Sequence, residues 1–482
     1  MSKTLAKVGM VVGAIALVAT GVGAVVGGGV LAGVAGSTFA AIGTYAGLAA
    51  GVANLGASLT QKKPPARGSV TQILIQADAP QPYVMGEGYF AGVLRHDAGY
   101  GATLKKVPNP YRGMVIVYSG GGPIESITPQ VDFAAVGSWY STFLYTSTAL
   151  GACPEGAALA PHFAGLPGWG ASSKLSGQAA ILWNFLFDKD GKRFAGGLPV
   201  LGAYGQWVKT YDPRLDDTYP GGSGDHRIDD EDTWEWSENP GLHGLTYALG
   251  RHQNGKFTIG MDLPAESIEI GDFVELANVC DANSWRMFGV VTEPGDREVR
   301  WTNLKDIVGA GGAEPFIANG KLRLNVRAPR VPLDTITPGD LAEERREVTA
   351  MQPLADRVNS IVPKFRSPDH NWELVDADAV TVGDYVDEDG ELIERAIAYN
   401  FVKDATQGAQ LAAYDLVDGR ELGPITLPCK PRLRHCRPGD CLTLALPRLG
   451  LTTDAVILTR KIDPATMKVT FTFKGETPAK HD

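Results

Sequence analysis

One stretch of this chain carries no charge. Between Lys7 and Lys62 there is no Asp, Glu, Lys or Arg, and residues 8–60 are mostly Ala, Val, Gly and Leu. One helical membrane crossing needs about 20 apolar residues, so the run is long enough for two. Ser37 and Thr38 suit a break between two segments. Glycines recur at intervals of four, as Gly9/Gly13, Gly23/Gly27, Gly29/Gly33 and Gly43/Gly47/Gly51. On a helix that interval puts small residues on one face, where two backbones approach closely. In water each interior glycine costs about 1 kcal/mol relative to Ala, so helices of this composition need neighbours or lipid. Three readings stand. A signal peptide matches the basic start (Lys3, Lys7), but its apolar core is far shorter. The other two are a constitutive membrane anchor and a segment packed against copies of itself in an assembly, released into a membrane later. The run Lys62-Lys63-Pro64-Pro65-Ala66-Arg67-Gly68 is a stiff basic linker.

Everything after this leader is a different material. The net charge of the 482 residues is -10; the part up to Arg67 carries +5, so the remainder carries -15. An acidic body argues against general nucleic-acid binding, where basic groups neutralise phosphates. The length predicts two to four domains. A hydrophobic fraction of 44% excludes a disordered chain and a polytopic transporter. The 59 glycines and 31 prolines predict many turns and a β-rich body.

The pattern places most elements. Val70 to Ala77 reads as β-like, Tyr83 to Leu94 as strands broken at glycines, and Gly113 to Tyr118 as a buried strand. Asp188-Lys189-Asp190-Gly191 reads as a hairpin turn between Ile181–Phe187 and Arg193–Phe194. Helices are expected over Gly241–Leu249 behind Asn239-Pro240, within Ser267–Ala282, over Thr302–Ile307 and within Asp404–Val417. Gly320 to Val326 alternates as a strand, and Asp387-Glu388-Asp389-Gly390 reads as a turn between strands. Cys441–Leu446, Ala455–Arg460 and Met467–Lys474 close the chain as strands, joined by turns such as Asp463-Pro464.

Motifs for chemistry are sparse. No phosphate loop, HExxH, GxSxG or dinucleotide glycine motif occurs in its required context. No catalytic, cofactor-binding or metal-binding residue is assigned, and no cofactor is expected. The acidic set Asp216, Asp217, Asp225, Asp229, Asp230, Glu231, Asp232, Glu235 and Glu238 reads as a solvated loop or a subunit contact, with calcium as the alternative. The cysteines Cys153, Cys280, Cys429, Cys436 and Cys441 describe no secreted disulfide framework. Cys429, Cys436 and Cys441 with His435 invite a metal reading, but the spacings favour buried or surface thiols. Tryptophans such as Trp139, Trp183, Trp207 and Trp372 are expected to anchor cores and interfaces.

Several stretches, in order, resemble one family. These are Tyr83–Leu94, the run YRGMVIVYSGGGPIESI from Tyr111, Gly197–Gly202 leading to Lys209-Thr210-Tyr211-Asp212-Pro213-Arg214, and Trp236-Ser237-Glu238-Asn239-Pro240 followed by Leu245-Thr246-Tyr247. Ala277-Asn278-Val279-Cys280-Asp281, Arg437-Pro438-Gly439-Asp440 and Arg460-Lys461-Ile462-Asp463-Pro464 continue the series. Together they resemble the tail-tip, or baseplate, hub proteins of long-tailed bacteriophages, similar to the tip attachment protein J of phage lambda. The chain ends shortly after Phe473-Lys474-Gly475-Glu476-Thr477, without the long fibre extensions of the lambda type.

The resemblance implies an α+β, mainly β, multidomain hub. Its β-barrel-like domains would form a trimeric pseudo-sixfold ring, to which the N-terminal apolar helical segment is added. The expected divisions are the leader 1–62, an N-terminal β-rich hub domain 63–200, an α+β middle 201–345 and a C-terminal β-rich hub domain 346–482. The resemblance implies a structural protein, not an enzyme. It would act as homotrimer, adaptor and DNA conduit at the distal end of the tail. Its partners would be copies of itself, the distal tail protein, the tape measure protein, other tail-tip and fibre proteins, and the host envelope during infection. DNA would pass without specific binding. The rival classes are a tail-associated cell-wall hydrolase and a membrane-anchored bacterial surface protein.

Overall fold

The computed structural model describes residues 70–76, 79–194, 197–293, 297–349 and 352–481; the leader and its expected apolar helices lie outside the described residues. The described body is mainly β, with several sheets and five α-helices. None of these helices is long and apolar enough to cross a membrane.

Two antiparallel sheets pack face to face near the start. The first runs in the order Phe288–Glu293, Gln81–Phe90, Leu201–Thr210, Ile124–Val131, Ala134–Ala135, and Glu235–Trp236 adds to Leu201–Thr210. The second runs Val93–Tyr100, Tyr111–Ser119, Ala179–Leu186, Leu144–Leu150. From Gly113 the central strand Tyr111–Ser119 is buried at every position, as its unbroken apolar run predicts. Its even-numbered residues Met114, Ile116 and Tyr118 face the main core. Its odd-numbered Val115 and Val117 face a second cluster closed by Leu159 and Leu166. Tyr118 stacks on Trp207 at 6.4 Å and accepts a hydrogen bond from Trp183 Nε1 at 3.1 Å. Trp183 and Trp207 are thus the core anchors that their type suggests.

Three helices follow: α1 (Pro240–Leu249), α2 (Ile270–Ala282) and α3 (Arg297–Ala310). Asn239 caps α1 by accepting from Gly241 N at 2.9 Å, and Pro240 sits in the first turn, where its missing N–H costs nothing. The hairpin Ala313–Ala318 with Lys321–Val326 packs on α2 and α3. A small sheet follows, with Ser360–Ser367 between Glu373–Asp376 and Val380–Thr381 on one side and Glu394–Ala398 on the other. It carries α4 (Gly383–Asp389) and packs on α5 (Ala405–Arg420), which Asp404 caps. The C-terminal sheet runs Thr335–Ile336, Cys441–Leu446, Leu451–Ile462, Val469–Gly475, Ile425–Cys429, Glu347–Val348, around a core that includes Phe471 and Phe473.

Several expectations are corrected. No closed barrel forms among the described residues. The C-terminal sheet ends on two-residue strands, Thr335–Ile336 and Glu347–Val348, which pair inward and not with each other. Such short edges suffice to blunt the sheet without closure. Val70 to Gln76 makes turns and one isolated bridge, Leu74 to Val93, and no strand. Arg193–Phe194 does not return as a hairpin strand. Asp188 accepts from Asp190 N and Arg193 N, folding the loop on its own carboxylate, and the next strand, Leu201–Thr210, joins the other sheet. Asp387–Gly390 is not a turn between strands but the end of α4, stopped by Gly390 in the left-handed region at φ 77°. Residues 302–307 are the middle of the longer helix α3.

Candidate functional site

Three of the sequence motifs meet at one place. Asp212, in the Tyr211-Asp212-Pro213-Arg214 element, caps the 3-10 turn Pro213–Leu215 through Arg214 N. This turns the Arg214 side chain toward α2. There Nη1 donates to Asn278 Oδ1 and to Asp281 Oδ2, both at 2.9 Å, while Nε and Nη2 return to Asp212. Asn239, from the third motif, donates to the Ala277 carbonyl at 2.8 Å. Arg286 Nη1 reaches Asp281 Oδ1 at 3.0 Å from the far side. Burial pushes the Asp281 carboxyl up, but Arg214 and Arg286 outweigh it and hold it below its usual value. Arg214 is held above its usual value, chiefly by the hydrogen bonds to Asp212. No single motif shows this junction, because its partners lie 64 and 67 residues apart.

The acidic set is tied down largely by internal partners. Asp216 accepts from Tyr211 Oη at 2.7 Å, from Thr218 Oγ1 at 2.6 Å and from Arg227. Asp217 pairs with Arg227 at 2.9 Å, and Asp230 caps a 3-10 turn through Asp232 N. Glu231 pairs with Arg251 at 2.7 Å, and Arg251 itself is only 1% exposed. Glu238 pairs with Lys403, which links this loop to the chain just ahead of α5. Among the described residues no three His, Cys, Asp or Glu side chains converge as a metal site.

The cysteines are free; Cys153 is partly exposed and the other four are buried. Burial pushes the thiols of Cys436 and Cys441 up to about 11, and those of Cys280 and Cys429 up to about 12. These are poor conditions for a thiolate ligand or nucleophile. His435 lies 3.5 Å from Cys436 Sγ but is itself exposed.

Two surfaces were not legible in the sequence. Trp139, Phe187, Leu198 and Val200 are each exposed, and the Arg193 guanidinium lies over the Trp139 ring at 5.3 Å. Trp139 is therefore a surface residue and not a core anchor, unlike Trp183, Trp207 and Trp372. The second surface is α4 with Leu392, where Asp384, Asp387, Glu388 and Glu391 are exposed.

No protein-family model matches this chain, and no curated protein matches it. Solved structures do. A chain from the virion of a native gene transfer agent (GTA) particle aligns at a TM-score of 0.54 and 15% identity, covering 91% of this chain and 97% of that one. The 43 kDa tail protein of prophage MuSo2 from Shewanella oneidensis aligns at a TM-score of 0.30 and 9% identity, covering 84% and 95%. A tail protein from Neisseria meningitidis MC58 aligns at 0.28 and 9%, covering 83% and 97%. The body shares its fold with the virion chain along nearly the whole length of both.

Proposed function

We propose that the chain is the structural hub of a bacteriophage-type tail tip. The observation that carries this reading is the fold shared with a virion chain over 91% of the sequence, added to the ordered motif resemblance. In this reading three copies form a homotrimer. Two β-rich parts of each copy, one at each end of the described chain, present six similar faces to a hexameric distal tail ring. The hub connects that ring and the tape measure protein to fibre proteins, and it works as adaptor and conduit without catalysing a reaction. In this reading the chain divides near residues 62, 200 and 345.

The acidic body suits a conduit that DNA must leave freely. With -15 beyond Arg67, it offers passing phosphates little to neutralise them. The bore is therefore lined with acidic or neutral groups. The uncharged leader is stored against its copies in or near that bore and enters the host envelope on ejection, where its small-residue faces pack together.

Imaging of the particle tip by electron cryo-microscopy tests this directly. The expected result is threefold density of this mass next to the tail tube, with no continuous basic stripe in the bore. Recovery of the protein with host membranes and not with virions would overturn the reading. For the leader, protein lacking residues 1–62 should lose liposome binding and leakage; equal activity would remove that part.

A further inference from the structure

We propose that the C-terminal sheet is a moving part of the body, a unit of residues 333–349 and 422–481 that swings away when a clasp of buried charges around Lys480 releases it. This holds whether or not the chain is a tail-tip hub. It makes the division near residue 345 a discontinuous one, with residues 352–420 on the other side.

The sheet has a core of its own. Its buried apolar residues run from Ile336 and Leu341 to Phe471 and Phe473, and none comes from residues 352–420. That inserted stretch packs elsewhere. Trp372, Phe401, Val402 and Leu411 join the main core, and Ile361, Ile397, Ala412 and Leu416 form a cluster between α5 and the small sheet. Among the described residues no apolar cluster holds members from both sides.

Charged side chains span the boundary instead. Lys480 Nζ lies 2.9 Å from Asp418 Oδ1, on the last turn of α5, and 2.9 Å from Glu476 Oε2 on its own side. Lys474, from the strand Val469–Gly475, pairs with the other oxygen of Asp418. Glu421, just past α5, accepts from Thr477 N at 3.0 Å and from Thr477 Oγ1 at 2.6 Å. The Lys480 and Glu421 side chains are only 3% and 4% exposed. Burial pushes the Asp418 carboxyl up, but Lys474 and Lys480 outweigh it and hold it down at about 2. Three arginines add to the clasp. Arg330 Nη1 donates to the Gly439 carbonyl at 2.6 Å, Arg323 Nη1 to the Pro438 carbonyl at 3.4 Å, and Arg460 Nη2 to Asn319 Oδ1 at 2.7 Å.

Such a boundary opens differently from an apolar one. Parting two apolar faces leaves surface that water rejects. Parting the clasp returns Lys474, Lys480, Asp418 and Glu421 to water, and their hydration offsets much of the lost attraction. Each core stays shut meanwhile. A polar boundary within one chain leaves relative motion as the default. The chain crosses this boundary near residues 330, 350 and 421, and these crossings limit the motion to a swing. Replacing Lys480 alone leaves buried carboxylates short of a cation, which favours the open form.

Spin labels read the swing in the full-length protein in mild detergent. They are placed at Leu449→Cys in the sheet and Leu374→Cys in the small sheet, both exposed, with Cys153→Ser removing the one native cysteine that is not buried. One distance should dominate in wild type. Lys480→Met should raise the share of a second, longer distance at least tenfold, while Cys429, Cys436 and Cys441, buried in the sheet, resist alkylation. An unchanged distance would overturn the proposal. So would a new distance accompanied by alkylation of those cysteines, because the sheet would then be unfolding and not swinging. Should the variant not fold, wild type decides. All nine tryptophans lie outside the unit, so urea unfolding followed by their fluorescence and by alkylation of the three cysteines reports each side separately. Two separate midpoints are expected; coincident midpoints would mark a single cooperative body and overturn the proposal.

Discussion

Arg214 places Nη1 2.9 Å from Asp281 Oδ2, joining the turn after the strand Leu201–Thr210 to the last turn of α2. Asp212 holds the other side of the same guanidinium, so the planar fork is used on both edges. Arg214→Lys keeps the charge and loses the fork. It should cost about 1–2 kcal/mol, and Arg214→Ala about 2–3 kcal/mol, since both leave half-buried carboxylates with fewer partners. Urea unfolding of the two variants checks this, and equal midpoints to wild type would show that the junction is not a structural node.

Gly86 has φ +74°, and a Cβ there would lie 1.8 Å from the Met287 carbonyl oxygen. The clash is with backbone at the pairing of Gln81–Phe90 with Phe288–Glu293, so nothing nearby yields cheaply. Gly86→Ala should destabilise by about 3 kcal/mol or more. Soluble yield and the thermal midpoint are the readouts.

Glu314 has its carboxyl pushed up to about 7, chiefly by burial, which Lys305 and Arg327 only partly offset. Between about 4.5 and 7 the folded state then holds a proton that the unfolded chain has lost. Stability from this group therefore falls as pH rises through that window. Glu314→Gln should raise stability at pH 8 by about 1–2 kcal/mol, after allowance for partial exposure, and change little at pH 4. A variant no more stable at pH 8 than wild type would contradict the assignment.

His243 is fully buried on α1, with Nε2 donating to the Ser237 carbonyl at 2.8 Å and Nδ1 lacking a hydrogen-bond partner. Burial pushes its pKa down to about 4, and the charge of Arg251 adds to the effect. The unfolded chain takes up a proton below about 6.5 that the folded state refuses until about 4. The stability is complete above pH 6.5 and is lost as pH falls through that window, by up to about 3 kcal/mol. Unfolding midpoints between pH 7 and 4 should show this slope, and His243→Met should flatten it.

The acidic loop offers a further check. Asp216, Asp217, Glu231 and Glu238 already hold Arg227, Arg251 and Lys403. A calcium ion would have to displace these cations to gather its six to eight oxygens. Millimolar calcium should therefore leave the melting temperature within about 1 °C, because a ligand stabilises a fold only by binding it. A rise of several degrees would revive the calcium reading.

Local physics made much of the body legible. The unbroken run at Gly113–Tyr118 reads as a buried strand, and the structure buries it on both faces. Asn239-Pro240 and Asp404 marked helix starts because the first N–H groups of a helix need an acceptor. Asp387–Gly390 misled for a similar reason, since glycine in the left-handed region ends helices and turns alike. Arg193–Phe194 misled because strand partners are chosen by packing, which sent the chain to the other sheet.

Taken alone, the sequence determined the charge-free leader, the acidic body and the periodicity that makes that body mainly β, because charge and alternation are properties of neighbouring residues. Only the tertiary structure decided that Arg214 meets Asp281, that the sheets stay open, and that Trp139 faces out while Trp183 and Trp207 face in. These depend on which distant segments become neighbours, and that choice follows from the burial of the whole core at once.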